Sequence, residues 1–256
     1  MATIYNKIRD HFSVNTLSIT EACPLNCSFC KIWQKEETFD VEDQDLTFWL
    51  RNFEVAKLKT RKVDFQLMLL DLVKKDQFFN YFKYEKKFNI IGGEPTLFWG
   101  LKQILAYLKN KGVKIIFWTN GVFDFKEIES DLPYLDQIMF FLPSVQANEY
   151  VEITGFDYLD LALTNLDQFL AAEKEVKINF PIQPSTIQNS PFLTDFIEEK
   201  KLPLVISYNL QQEFSRESID YITRYNRVKG IKVVRSRKLI SKNCACFPIP
   251  GVVDFI

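Results

Sequence analysis

Six short apolar runs, each closed by glycine or a polar cluster, cut the chain into repeating units of strand and helix. They span 16–20, 88–91, 113–118, 138–142, 176–182 and 204–208, and a seventh candidate covers 231–234. Several are apolar almost throughout, the pattern of parallel strands covered on both faces. Segments with apolar residues at helical spacing lie between them: 46–59, 63–73, 101–111 ended by Gly112, 158–172, 192–201 and 217–228. Strand followed by helix, repeated, predicts an α/β chain with a parallel sheet. Six such units suggest an incomplete barrel, with a flat doubly wound sheet as the alternative.

In such folds ligands bind where strands end at their carboxyl side. The polar punctuation falls there. Cys23, Cys27 and Cys30 follow the first strand, Gly92-Gly93-Glu94 the second, Thr119-Asn120-Gly121 the third and Ser144 the fourth. Three of the five cysteines therefore sit on one short loop and can grip one metal centre without help from distant chain. Structural zinc takes four Cys or His ligands, usually as two pairs. Here there is no local fourth, and the single histidine, His11, lies upstream and is assigned no role. Three thiolates suit a cubane iron–sulfur cluster with one iron left open, and zinc or three buried thiols are the competing readings. In Gly92-Gly93-Glu94-Pro95-Thr96 the glycines allow a backbone to approach a ligand closely. Glu94 offers a carboxylate to a cation, and Pro95 holds Glu94 extended.

Composition bounds the rest. A chain of 256 residues with 47% hydrophobic residues, 24 of them Phe, can build one large α/β core. A net charge of -1 supplies no field toward nucleic acid or an acidic membrane. Met1 to Asp10 carries no apolar signal core, and an odd cysteine count clustered by three does not fit a secreted disulfide framework. A cytoplasmic setting, with its reducing chemistry, is expected. The stretch 77–87 mixes Phe, Tyr and Lys; it is expected to be an amphipathic helical insertion on the barrel exterior rather than a base-stacking surface.

Cys-x3-Cys-x2-Cys, with Phe29 just before the last cysteine, resembles the signature of the radical S-adenosylmethionine (SAM) superfamily. The resemblance implies a partial (β/α)6 TIM-like barrel over 1–235, with an insertion at about 61–87. It leaves 236–256 as a short C-terminal extension carrying Cys244 and Cys246. It also implies that Cys23, Cys27 and Cys30 hold a [4Fe–4S] cluster, whose fourth iron the amino and carboxylate groups of SAM chelate. Phe29 would lie near the adenine. Gly92-Gly93-Glu94-Pro95 is similar to the family's GGEP motif, which contacts the ammonium of SAM's methionine. Thr119-Asn120-Gly121 resembles the family's TNG, and Ser144, with Asn179 or Gln183, matches polar positions near the ribose. Cys244 and Cys246 are too few for a full auxiliary cluster.

The chemistry implied is reductive cleavage of SAM to methionine and a 5′-deoxyadenosyl radical, which abstracts hydrogen from a substrate. An electron donor such as flavodoxin or ferredoxin is implied as partner. The run from Ser144 to Gly155 is similar in style to members that modify peptides or proteins and to the molybdenum-cofactor branch. A peptide or protein is the expected substrate, with a nucleotide or other small metabolite as the alternative and a metal-stabilised binding module as the non-enzyme reading.

Overall fold

The computed structural model describes residues 16–20, 22–28, 30, 62–82, 84–182, 190–208, 233–236 and 253–254. Among them runs one sheet of eight strands in sequential order. The strands are β1 (Thr16–Ser18), β2 (Lys87–Ile91), β3 (Lys114–Thr119), β4 (Gln137–Phe141), β5 (Glu175–Ile182), β6 (Leu204–Tyr208), β7 (Val233–Ser236) and β8 (Val253–Asp254). Every pair from β1 to β7 is parallel, and β8 turns back antiparallel on β7, with Arg235 opposite Asp254. Among the described residues no ladder joins β8 to β1, so the sheet is an open, partial barrel.

The strands are buried on both faces. In β2 only Lys87 is exposed, while Phe88, Asn89, Ile90 and Ile91 are all buried; β4 is buried throughout. This lack of alternation is what a parallel sheet wrapped by helices requires. The expected helix after β2 forms as Leu101–Asn110, and its apolar positions Leu101, Ile104, Leu105 and Leu108 are the ones that bury. At roughly 1.5–3 kcal/mol per fully buried aliphatic side chain, that stripe pins the helix to the sheet. Its end is built by Gly112 at φ 75°: Gly112 N–H donates to Lys109 O and Val113 N–H to Leu108 O, the paired bonds that close a helix into a strand.

In chain order the described helices are α1 (Lys62–Lys74), α2 (Phe78–Tyr81), α3 (Leu101–Asn110), α4 (Lys126–Glu129), α5 (Ala147–Thr154), α6 (Leu159–Ala171) and α7 (Ser190–Lys200). The stretch 77–87 departs from its expectation. Only α2 is helical, because Phe82 turns extended at φ -101°, ψ 137°. Phe78 and Phe82 are buried and stack at 4.4 Å, and Phe78 also packs on Phe88 of β2 and Tyr107 of α3. Phe78 and Phe82 are core, since rings of this area gain more by burial than a surface helix would give them, while Tyr84 stays exposed. No helix among the described residues is long and apolar enough to cross a membrane. The helices expected over 46–59 and 217–228 lie outside the described residues, as do His11, Phe29, Gln183, Cys244 and Cys246.

Candidate functional site

Two loops meet at the carboxyl ends of β1 and β2. Ile19 N–H donates to Ile91 O, Gly93 N–H to Thr20 O and Glu94 N–H to Ala22 O, at 2.7–2.9 Å. The ladder between the strands thus continues into the loops and ties the root of the cysteine loop to Gly93-Glu94. A Cβ on Gly92 would stand 2.6 Å from Thr20 O. In the structure the close approach that Gly92 permits is to this neighbouring backbone.

Glu94 is fully buried and extended, φ -126°, as the following proline dictates. Both carboxylate oxygens are occupied. Oε1 accepts from Thr96 N–H (3.3 Å) and the Thr96 hydroxyl (3.1 Å). Oε2 accepts from the Thr119 hydroxyl (2.9 Å) and Asn120 N–H (2.8 Å). Burial pushes its carboxyl up from 4.5 to about 7, against the downward pull of these four bonds from Asn120, Thr119 and Thr96. Among the described residues no lysine or arginine pairs with it. Among the described residues it is a fixed acceptor with no built-in counter-cation.

The loop after β3 carries the contact onward. Asn120 accepts from Val122 N–H at Oδ1 (2.9 Å) and donates from Nδ2 to Cys23 Sγ (3.4 Å). Gly121 has φ 75°, and a Cβ there would stand 2.3 Å from Phe140 Cζ, so the turn needs glycine for its conformation and for space. Asn165, buried on α6, donates at 2.8 Å to both Gly121 O and Phe123 O and holds the turn from outside.

Cys27 and Cys30 are buried, Cys23 is half-buried, and all three thiols are free of disulfides. Cys30 N–H closes a turn onto Cys27 O at 2.8 Å. The loop is strapped to α5: Asn26 N–H donates to Thr154 O and Ser28 N–H to Ile153 O, each at 2.9 Å. Carbonyls that a helix end leaves unpaired are thereby satisfied by the cysteine loop. Among the described residues no three Cys, His, Asp or Glu side chains converge tightly enough for a single ion.

Ser144 is buried, but its hydroxyl donates to Glu149 Oε2 and accepts from Gln146 N–H (3.0 Å), so it is engaged by the start of α5. Glu149 Oε1 and the Tyr150 hydroxyl, both buried, have no hydrogen-bond partner among the described residues. Asn179 is fully buried within β5, opposite Phe141, and not on a loop. The structure thus draws Glu94, Thr119, Asn120 and Cys23 into one connected set, while Ser144 and Asn179 stand apart on β4 and β5 sides of the barrel. Asn165, Thr96, Glu149, Tyr150 and the buried pair Trp118 Nε1–Asn89 Oδ1 (2.9 Å) were not singled out from the sequence. Asn165 carried a signal: a polar residue amid the buried stripe Ala162, Leu166 and Phe169 of its helix.

No family model matches the chain. It is 23% identical over 248 residues, 94% of this chain and 74% of the relative, to a protein named probable GTP 3′,8-cyclase from Methanococcus maripaludis. It is 26% identical over 201 residues, 77% of this chain and 54% of the relative, to a GTP 3′,8-cyclase from Helicobacter pylori. A match to an Fe-coproporphyrin III synthase from Methanosarcina barkeri is 25% identical and covers 53% of this chain and 38% of that one. The chain therefore spans about half the length or less of two of these three relatives. In fold it is similar to Streptococcus suis SuiB bound to its precursor peptide SuiA, with TM-score 0.58 and 17% identity over 91% of this chain and 52% of that one. Another neighbour is anSMEcpe with bound AdoMet, with TM-score 0.56 and 12% identity over 86% of this chain and 62% of that one. Sequence relatives and fold agree with the loop chemistry: the chain resembles radical SAM enzymes, a superfamily whose members use a [4Fe–4S] cluster and SAM.

Proposed function

We propose that this chain holds a [4Fe–4S] cluster on Cys23, Cys27 and Cys30, binds SAM beside it, and uses the pair to abstract hydrogen from a nucleotide or another small metabolite. The observation that carries the reading is the chain of contacts Glu94–Asn120–Cys23. A buried carboxylate without a counter-cation is held by a loop that also hydrogen-bonds a cysteine of the metal-type loop. An amino group with N–H donors to give, next to an iron on that loop, satisfies both ends. Three cysteines on one loop, none in a disulfide, fit three irons of a cubane with the fourth left open. Cys23, Cys27 and Cys30 would hold the cluster, and it would supply an open iron for SAM.

When bound and reduced, the cluster supplies the electron that breaks the C5′–S bond of SAM. The chain's own residues orient and shield. Glu94 would accept from the SAM amino group in place of one rotating hydroxyl, Thr96 or Thr119, while the backbone N–H groups of Thr96 and Asn120 keep a bond to each oxygen. Gly92, Gly93 and the turn at Gly121 set the loop heights. Phe29 is assigned to the adenine, and Ser144 and Asn179 to the ribose side. An external one-electron donor, such as flavodoxin or ferredoxin, feeds the cluster, and the reducing conditions it needs are those of a cytoplasm. Relatives named for GTP cyclisation support the nucleotide or small-metabolite reading over the peptide or protein substrate expected from the sequence. The peptide reading keeps only the fold likeness to SuiB, at 17% identity.

Anaerobic reconstitution with iron and sulfide, then dithionite and SAM, tests the first half. 5′-Deoxyadenosine is expected, and its absence from a well-assembled cluster refutes the radical reading. Turnover with uniformly deuterated GTP tests the second half: deuterium in the 5′-deoxyadenosine supports a nucleotide substrate. If none appears there while a deuterated peptide pool does label it, the substrate class is wrong.

A further inference from the structure

The side chain that the site leaves unexplained is Tyr150. It sits on α5, the helix whose last carbonyls, at Ile153 and Thr154, take the backbone N–H groups of Ser28 and Asn26. Tyr150 is one turn earlier, and the Thr154 hydroxyl donates to Tyr150 O at 2.7 Å, so its register against the cysteine loop is fixed. The residue is fully buried, and its hydroxyl has no hydrogen-bond partner among the described residues. Buried hydroxyls are ordinarily paired, and one that is not needs an explanation. A phenylalanine would fill the same space without that cost. Burial first, then the Cys27 and Cys23 thiols, raise this hydroxyl's pKa. A phenol is a hydrogen-bond donor, and the ionisable groups near enough to act on it are cysteines of the loop. One neutral donor already reaches that loop, Asn120 Nδ2 at Cys23 Sγ.

We propose that the Tyr150 hydroxyl donates a hydrogen bond to a sulfur of the cluster held by this loop and thereby raises the cluster's reduction potential. The proposal rests on the cluster reading above. Reduction adds negative charge to the iron–sulfur unit, and a donor aimed at sulfur stabilises the reduced form more than the oxidised one. Tyr150 is a positioning and tuning residue that acts through the cluster. A phenol suits this place better than a lysine, which would bring a full charge into a buried site.

The test is an EPR-monitored redox titration of the reconstituted protein without SAM, comparing wild type with Tyr150→Phe. Iron and sulfide content should be unchanged. At a fixed potential the ratio of reduced to oxidised cluster should fall about tenfold in the variant, which for one electron is a downshift of about 59 mV. A second measurement needs no variant: after exchange into D2O, the reduced wild-type cluster should show a coupled deuteron by electron–nuclear double resonance, lost in Tyr150→Phe. Equal potentials, or a wild-type cluster with no such deuteron, overturn the proposal. If Tyr150→Phe fails to fold, wild type carrying ring-deuterated tyrosine and kept in H2O decides, since the Asn120 amide is then unlabelled: a cluster with no coupled ring deuteron overturns the proposal. If the wild type assembles no cluster, the reading beneath this one is wrong, and this one falls with it.

Discussion

Replacing Glu94 by Gln separates the cost of burying its charge from the value of its hydrogen bonds. The carboxyl rises from 4.5 to about 7 when the protein folds, mainly through burial. Between those values the folded state keeps a proton that the unfolded state has lost. Glu94 therefore favours folding fully only below pH 4.5, and that contribution disappears as pH climbs through about 7. At about 1.4 kcal/mol per tenfold, the ionised form costs on the order of 3 kcal/mol by pH 8, of which about 2 kcal/mol accrues between pH 5.5 and 8. The amide of the Glu94→Gln variant does not titrate. It keeps one acceptor oxygen, which can serve Thr119 and Asn120, while its NH2 group faces Thr96, whose hydroxyl can turn to accept. The Thr96 N–H is then unpaired, a pH-independent penalty of about 1–3 kcal/mol. Anaerobic urea unfolding of the metal-free protein, with thiols reduced, checks this at four pH values from 5.5 to 8. The wild type should lead at pH 5.5, and the variant should gain about 2 kcal/mol on it by pH 8. A gap constant within about 0.5 kcal/mol across that range refutes the charge-burial argument.

Gly121→Ala should destabilise the protein by roughly 2–4 kcal/mol, from left-handed backbone strain plus overpacking against Phe140, read as a lower thermal midpoint. Asn165→Ala removes both bonds to Gly121 O and Phe123 O and should cost about 2–4 kcal/mol in chemical denaturation; a loss under about 0.5 kcal/mol would mean water replaces it. Changing Cys23, Cys27 and Cys30 together to Ala should abolish the brown chromophore and the bound iron. Retention of most iron would place it instead on Cys244 and Cys246.

The backbone plan was legible because parallel strands leave a direct mark. Uninterrupted apolar runs such as Ile115-Ile116-Phe117-Trp118 have few other uses, and Gly112 announced the end of its helix. Strand limits shifted by a residue or two, because the end of a ladder depends on the neighbouring strand's register. Helix α5 was missed: Ala147–Thr154 carries polar Asn148, Glu149 and Glu152 and is short, and its stability comes from the loop it supports more than from its own pattern. Motif spacing located the cysteines and Glu94. It did not show that Glu94 is tied to Cys23 through Asn120, nor that Gly92 makes room for Thr20, since both depend on how three loops stack. The segment 77–87 misled because mixed lysines and rings read as a surface, whereas Phe78 and Phe82 turn inward and Lys86, Lys87 and Tyr84 stay out. For the two residues matched to the ribose side, the pattern did not show that Ser144 bonds Glu149 or that Asn179 lies inside β5.

The strap between Asn26, Ser28 and the end of α5 has a consequence for when the site can come into being. Its partners belong to the first and fourth strand–helix units, with β2, β3 and β4 threaded between them. Contacts across so long a loop form late, after the intervening sheet has been laid down, because the closure entropy must first be offset by nearer pairings. A nascent chain that has completed only β3 therefore holds three cysteines on an unsupported loop. On the cluster reading proposed above, delivery of iron and sulfide is expected to follow folding rather than guide it. Oxidation or mispairing of those thiols during synthesis is the hazard that the closing of α5 onto the loop brings to an end.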